Sequence, residues 1–249
     1  HRDGIQVFHT VHQLKELLTG IMAAAKVDRL FVKPVDGKGG AGCRLITRDR
    51  MQKDDDGWRS LHQEMKKGLH LIQNRIKQHP YLDRIYSGSV NTMRLVTFMN
   101  KNQEILFLSA MMRFGRNGSV VDNGSMGGLT VPVDLEKEHM MGSAIYLLEH
   151  GVAIHTLHPD THFLFEGAEI PFIEKIQTMV KQTAVLFPTK IVGWDVAVTE
   201  DGPVIIEGNS LPHLRIQEIC VGGYRKNPVF QELLKEYYPS DYDEGVLVP

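Results

Sequence analysis

A stretch near the C-terminal end of the chain, residues 191–209, carries oxygen-bearing side chains at a spacing that suits a metal ion. It predicts two strands joined by a three-residue loop that ends in Gly202, which takes the left-handed conformation such a hairpin needs. In this register Asp195 lies opposite Glu207, and the alternation of side chains places Asn209 on the same face. Two carboxylates and an amide oxygen form an all-oxygen donor set, which favours Mg²⁺.

The same register predicts an apolar face on the other side of the hairpin, with Val196 opposite Ile206 and Val198 opposite Val204. Trp194 completes that face. Two alternatives remain open. The acidic face is equally compatible with a solvated surface hairpin. A two-residue loop would shift the pairing by one and put the two carboxylates on opposite faces.

A glycine-rich loop, residues 37–42, follows a buried-type strand that carries Lys33 near its end. Successive glycines such as Gly39 and Gly40 let backbone N–H groups converge on one anion, and Lys33 and Lys38 add positive charge. The Gly-Lys-Ser/Thr ending of a Walker A loop is missing, and no helix obviously follows, as a dinucleotide fingerprint requires. The loop is therefore either a phosphate-binding element or a flexible hairpin loop.

Two arginines lie on strands that the pattern predicts to be largely buried. Arg94 lies within the predicted strand 89–99, and Arg113 lies near the end of the predicted strand 105–114. A buried arginine must find an anion. Each is therefore a candidate either for binding an anionic ligand or for a structural salt bridge.

Two polar loops supply candidates for recognising a substrate. Asn123 and Ser125 lie in a glycine-containing loop before a strand, and loops beside a sheet often hold ligand-binding groups; the alternative is a plain turn. His158 lies in a segment with three histidines, residues 155–162. Pro159 breaks any helix that would align these histidines on a zinc ion, so we expect a loop reaching toward a substrate instead.

Hydrophobic periodicity predicts helices and strands in both halves of the chain. The predicted helices cover residues 11–25, 59–68, 171–187, with Pro171 at its first position, and 228–237. The predicted strands cover residues 30–34, 43–47, 69–73, 89–99, 105–114 and 129–133. The strand 105–114 is nearly all apolar until Arg113, so it should lie centrally in a sheet. Residues 48–60 read as an exposed loop, and a boundary between two lobes falls near residue 73.

Composition limits the class of protein. The chain has 249 residues, a formal charge of −2 and two cysteines. This charge argues against a general nucleic-acid binder, and two cysteines fit a reducing, cytoplasmic compartment better than a disulfide framework. No apolar run is long enough to span a membrane. Because the chain begins at His1, an upstream domain is an expectation.

These pieces, taken in order, resemble the ATP-grasp superfamily, and within it the sugar-transfer-associated group that is related to alpha-L-glutamate ligases. The resemblance covers roughly residues 28–212. It rests on a strand-borne lysine, a glycine-rich lid, a strand end at the hinge and an Asp…Glu-x-Asn set. The residues that suggest the group are Gln78-His79-Pro80, Ser89 to Arg94, Val121-Asp122-Asn123, Gly127-Gly128, His158 to Thr161 and Gly193-Trp194-Asp195.

The resemblance implies an α+β fold of two lobes, 1–73 and 74–249, with ATP between their sheets. It implies that Lys33 reaches the phosphates, that Ile72 and Gln73 lie against adenine, and that the Asp195 set binds Mg²⁺. In D-alanine–D-alanine ligases an arginine stands two residues before the metal-binding aspartate. That place is Gly193 here, so Arg94 or Arg113 would have to act in its stead.

The implied activity is an ATP-dependent carboxylate–amine ligase that forms an acyl phosphate from small-molecule substrates, with a sugar-transfer partner as a further expectation. Asn123, Ser125 and His158 are then candidates for recognising the acceptor. Two alternatives stay open. One is a kinase that keeps the nucleotide site but phosphorylates a hydroxyl. The other is a non-catalytic nucleotide-binding module.

Overall fold

The chain folds into two compact units, His1–Ile76 and Lys77–Pro249. Each is built from antiparallel strands and helices, which confirms the α+β class. The division follows Ile76 rather than residue 73, because the last strand of the first unit continues to Asn74. The computed structural model describes four stretches of the chain: residues 6–37, 39–49, 55–146 and 153–238.

The first unit is a three-stranded antiparallel sheet with two helices against one face. The strands pair in the order β2-β1-β3, so β3 is an edge strand. Thr10 starts α1 through a capping box with Gln13. In chain order the elements are α1 (Val11–Ala25), β1 (Arg29–Pro34), β2 (Arg44–Thr47), α2 (Asp55–Met65) and β3 (His70–Asn74).

Alternation along β1 gives this sheet two different faces. Leu30 and Val32 are buried against the apolar side chains of α1 and α2. Phe31 and Lys33, one residue out of step, lie on the opposite face. Within the described part of this unit, the apolar core lies on the helical side of the sheet only, and no helix or strand covers the second face with core side chains.

The second unit contains a six-stranded sheet in the order β7-β6-β5-β4-β8-β9. The prediction that residues 105–114 form a central strand is confirmed, because β5 lies between β6 and β4. The strands are β4 (Thr92–Met99), β5 (Ile105–Phe114), β6 (Leu129–Asp134), β7 (His139–Met140), β8 (Ile191–Thr199) and β9 (Gly202–Asn209).

Helices cover the two faces of this sheet unequally. One face holds the main core, to which α3 and α4 contribute buried side chains such as Ile85 and Ile176. On the other face a smaller cluster around Val96, Leu108 and Tyr224 packs against side chains of α5 and α6. The helices are α3 (Pro80–Ile85), α4 (Ile173–Ala184), α5 (Leu214–Cys220) and α6 (Pro228–Tyr237).

Two predictions about the elements were wrong, and two short helices were not predicted. Residues 55–60 belong to α2 rather than to an exposed loop, because Trp58 and Leu61 bury against the first core. Helix α4 begins at Ile173 rather than at Pro171, because Phe172 takes a left-handed conformation and so lies outside the helix. The short helices α3 and α5 were missed, because six or seven residues hold less than two full periods of an apolar pattern.

Candidate active site

The hairpin of β8 and β9 has the predicted pairing at one end only. Asp195 pairs with Glu207, and Gly193 pairs with Asn209, as predicted. Nearer the turn, however, Val196 pairs with Ile205 instead of Ile206. The predicted cross-strand pairs of the apolar face are therefore wrong.

The cause is a compensation between the turn and a β-bulge. Thr199 pairs with Gly202, so the loop has two residues, not three. The register then shifts between Asp195 and Val196, where one extra residue of β9 restores the pairing of Asp195 with Glu207. As a consequence Val204 and Ile206 are 43% and 37% exposed rather than part of the core.

One row of charged side chains crosses three strands in register. Arg94 on β4 pairs with Asp195 on β8, and Asp195 pairs with Glu207 on β9. Arg94 donates from Nε to Oδ1 of Asp195 and from Nη2 to Oδ2, the latter at 2.9 Å. This bidentate geometry fixes both side chains, which are at least nine-tenths buried.

A second row lies beside the first and shares Asp195. Arg113 donates from Nη2 to Oδ2 of Asp195 at 2.8 Å. Its Nε and Nη2 also donate to Oγ1 of Thr92, at 2.9 and 2.6 Å. Asp122 accepts from the Thr92 backbone N–H at 2.8 Å and from the Thr92 hydroxyl at 2.5 Å, and it lies 3.7 Å from Arg113 Nε. Two buried cations are thus balanced by two buried carboxylates.

This network determines which groups carry charge. Burial alone would raise the pKa of Asp195, but Arg113 and then Arg94 outweigh burial and lower it to about 2. Burial raises the pKa of Asp122, against the opposing effect of Arg113. The pKa of Arg113 is raised, because Asp122 and Asp195 together outweigh the cost of burying its charge. Asp195 is therefore a carboxylate and Arg113 a cation across the physiological range.

The three candidate metal ligands lie together, but they are not equally open. Asp195 already accepts three N–H donors, which leaves one lone-pair site on Oδ1. Glu207 is exposed and Asn209 is half-buried. Asn209 Nδ2 donates to Glu207 Oε1 at 3.2 Å, which leaves its amide oxygen for another partner. The set is hard and all-oxygen, so its chemistry fits Mg²⁺, with Glu207 and Asn209 the more accessible ligands.

The missing side chain at Gly193 has a structural counterpart. A Cβ there would lie 2.7 Å from Cβ of Pro212 and 3.6 Å from Cδ and Nη1 of Arg94. The side chain of Arg94 therefore lies next to the space that a residue at position 193 would fill. It is the approach of Pro212, at 2.7 Å, that requires glycine at position 193.

The candidates in the first unit share one sheet face, with one exception. Lys33 pairs with Leu71, and Phe31 pairs with Gln73, so Lys33 and Gln73 lie on the face opposite the helices. Ile72 pairs with Val32 and packs against the helical core. Its side chain therefore points away from Lys33, and only its backbone could contact a ligand on the open face.

The glycine-rich loop joins β1 to β2 as an antiparallel hairpin connection. Gly39 and Gly40 both have positive φ angles, of 63° and 81°, which allows the chain to turn its N–H groups inward. Gly42, with φ of 74°, closes the loop near Pro34. Lys38 lies outside the described residues.

The substrate candidates differ in their outcome. Asn123 caps a short 3-10 turn, and its Oδ1 accepts from the N–H and the hydroxyl of Ser125, both at 3.1 Å. This loop follows Asp122 directly and so adjoins the arginine network. His158, in contrast, was wrongly expected to reach a substrate. It is fully buried, with Nε2 2.9 Å from the Gly115 carbonyl oxygen.

The sequence alone did not assign a site role to three buried polar residues. Thr92 lies two residues before Arg94, so strand alternation could have placed it on the same face. Asp122 belongs to the motif Val121-Asp122-Asn123 that suggested the family, but nothing local indicated its role, because its partners are 9 and 30 residues away in the chain. Gln217 on α5 is buried, and within the described part of the chain neither its amide nitrogen nor its amide oxygen has a hydrogen-bond partner.

Comparison with known proteins gives one family. The sequence model of the family described as sugar-transfer associated ATP-grasp matches residues 3–227. A search of curated proteins finds no match. Within the described residues, none of the helices has the length and apolar character needed to cross a membrane.

Several solved structures are similar over most of this chain. D-alanyl-alanine synthetase A from Vibrio cholerae aligns with 12% identity and a TM-score of 0.49, covering 90% of this chain and 53% of that one. The D-cycloserine synthetase DcsG aligns with 16% identity and a TM-score of 0.44, covering 89% and 60%. The ATP-grasp ligase PsnB, solved with a phosphomimetic precursor variant, Mg and ADP, aligns with 13% identity and a TM-score of 0.45, covering 89% and 49%. The chain thus spans about half to three fifths of their length.

Proposed function

The chain belongs to the sugar-transfer-associated ATP-grasp family, and from that premise we propose that it is an ATP- and magnesium-dependent ligase. It joins a small-molecule carboxylate to an amine through an acyl phosphate. The observation that carries the proposal is the row of Arg94, Asp195 and Glu207 across three neighbouring strands. This row sets a cation, Arg94, directly beside an oxygen donor set, which is what transfer of a phosphoryl group requires.

In this proposal the first unit binds the nucleotide. Lys33 neutralises phosphate charge, and the N–H groups of Gly39 and Gly40, together with Lys38, hold phosphate oxygens. Gln73 and the backbone of Ile72 contact the adenine along the edge strand β3. Support comes from the shared open face of Lys33 and Gln73 and from the positive φ angles of the glycines.

The second unit holds the reacting groups. Glu207, Asn209 and the remaining site on Asp195 would bind Mg²⁺, which supplies charge neutralisation for the terminal phosphates. Arg94 and Arg113 each have five N–H donors. The contacts to Asp195 and Thr92 leave Nη1 of both guanidinium groups unused among the described residues. These donors stabilise the transferred phosphoryl group and the oxyanion of the acyl phosphate.

The first step needs little acid–base help. The substrate carboxylate attacks the γ-phosphorus of ATP, the bond to the β–γ bridging oxygen breaks, and ADP leaves with that electron pair. The amine then attacks the acyl carbon and displaces inorganic phosphate, and the proton that the nitrogen loses leaves with the phosphate. Positioning and charge neutralisation carry the first step. Asn123 and Ser125 orient the acceptor from the loop after Asp122. The family's association with sugar transfer favours substrates from cell-surface or polysaccharide biosynthesis.

Calorimetric titration with a non-hydrolysable ATP analogue, with and without Mg²⁺, tests this proposal. We expect magnesium-dependent binding that weakens about tenfold or more in Glu207→Gln, because a charged ligand is lost. The matched control is Glu200→Gln, at the other end of the same hairpin, where the carboxylate pairs with Lys77. Binding that ignores both Mg²⁺ and Glu207→Gln would remove the metal assignment.

Turnover decides the reaction class. A screen of ADP release over pools of acids and amines should show full turnover only when both are present. ADP release with a hydroxyl compound alone would identify a kinase instead. Nucleotide binding without turnover in any mixture would identify a regulatory module.

A further inference from the structure

A further arginine, Arg116, lies just beyond the network of Arg94 and Arg113. Arg116 lies three residues after Arg113, so their Cα atoms are at most about 11 Å apart. Its Nε donates to the carbonyl oxygen of Gly127 at 2.7 Å. Within the described residues its guanidinium group makes no other hydrogen bond, so Nη1 and Nη2 are available to a ligand.

Aromatic rings hold this guanidinium in place. Its Cζ lies 4.5 Å from the ring centroid of Tyr146, which is a cation–π contact. The ring of Tyr146 in turn stacks on His155, with centroids 5.7 Å apart and an interplanar angle of 29°. Nε2 of His155 is buried without a hydrogen-bond partner in the part of the chain that the structure describes. Arg116, Tyr146 and His155 therefore form a preorganised stack with unused polar capacity.

One loop links this stack to the reacting groups. The loop begins at Asp122, 3.7 Å from Arg113 Nε, and reaches Gly127, whose carbonyl accepts from Arg116. Gly128 closes it tightly, because a Cβ there would lie 2.2 Å from the carbonyl oxygen of Asp122. Both ends of this loop thus contact arginines, and Asn123 and Ser125 lie between them.

We propose that Arg116, held by Tyr146 and Gly127, binds a second anionic group on the acid substrate. This inference rests on the proposed ligase function and narrows its substrate class. The reacting carboxylate lies at Arg113, and a second carboxylate or phosphate of the same substrate lies at Arg116. A planar guanidinium with two unused nitrogens suits bidentate recognition of such an anion, and Lys would not reproduce that geometry.

The test uses linear dicarboxylates from succinate to pimelate, with butyrate as the monoanionic probe, titrated into the full chain with Mg-ADP present. We expect at least one dicarboxylate to bind about tenfold more tightly than butyrate. Arg116→Ala should abolish this advantage, and Arg116→Lys should retain part of it. If Arg116→Ala does not fold, Arg116→Gln serves the same purpose.

The matched control is Arg84→Ala. Arg84 lies over the ring of Tyr81 at 5.6 Å in the same unit, so it offers a second arginine–tyrosine pair on another part of the surface. It should leave the dicarboxylate advantage intact. Equal binding of mono- and dicarboxylates, no saturable binding of any of them, or equal loss in both variants would overturn the proposal.

Nucleotide titrations on the same samples separate the two proposals. Magnesium-dependent nucleotide binding without a dicarboxylate advantage removes the Arg116 site and leaves the ligase proposal standing. A dicarboxylate advantage that depends on Arg116, without any nucleotide binding, retains the anion site and removes the ligase.

Discussion

The two sheets treat their charged residues in opposite ways. In the six-stranded sheet, Arg94, Arg113, Asp122 and Asp195 are buried and satisfy one another through short contacts. In the three-stranded sheet, Lys33 lies on a face that no core of the described part of that unit covers. The first arrangement is preorganised at the expense of desolvating four charges. The second leaves the cation to a ligand, so the two should respond differently to mutation.

The largest expected effect is the loss of the shared carboxylate. Asp195→Asn leaves two buried guanidinium groups without their common anion, and breaking such a pair destabilises a fold by about 3–5 kcal/mol. The change in the free energy of unfolding is measured by denaturant titration, from the transition of the second unit. Glu207→Gln is the control, because Glu207 is exposed and should change stability little. Equal losses in both variants would contradict the preorganised role of Asp195.

A smaller effect appears with pH. The pKa of Asp195 is lowered from its ordinary value of 3.8 to about 2, so its contribution to stability is present above pH 3.8 and disappears as the pH falls through about 2. The shift corresponds to about 2 kcal/mol. Asp122 has a raised pKa and acts with the opposite sign, so the measured quantity is the difference in stability between the wild type and Asp195→Asn. That difference should narrow between pH 4 and pH 2, and a constant difference would refute the assignment.

The smallest effect on stability belongs to the other sheet. Lys33→Ala should leave the free energy of unfolding unchanged, because the side chain lies on the open face and leaves the helical core intact. It should nevertheless weaken nucleotide binding, because a phosphate loses its cation. Calorimetry and denaturant unfolding on the same protein check both parts. A loss of stability with unchanged nucleotide binding would reverse the contrast between the sheets.

Most of the helices and strands could be predicted from regular hydrophobic periodicity. The structure confirms α1, β5 and α6 over the residues that their apolar patterns predicted, because each is long enough to repeat its period. The family resemblance is confirmed by the match over residues 3–227. Short elements, such as α3, and the start of α4 depend on tertiary contacts that a local pattern does not contain.

The candidate site was predictable only in part. The juxtaposition of Asp195 and Glu207 is correct, although the loop length from which it was inferred is wrong. The contact of Asp122 with Arg113 could not be predicted, because it arises only after distant parts of the chain come together. His158 was misassigned for the same reason. The sequence predicts a loop for a histidine next to a proline. In the structure His158 packs against Tyr86 and Phe114 and is part of the interior.

The bulge in β9 has a consequence for how the length of this hairpin can vary. Compared with a three-residue turn and an unbroken ladder, the turn is one residue shorter and the bulge adds one residue to β9. The two changes cancel, so Asp195 lies opposite Glu207. Deletion of Ile206 would give a continuous ladder in which Asp195 still lies opposite Glu207, whereas a one-residue slip of β9 along β8 would send one of the two carboxylates to the opposite side of the sheet. A homologous chain without the bulge should therefore have either one residue fewer in this hairpin or a three-residue turn.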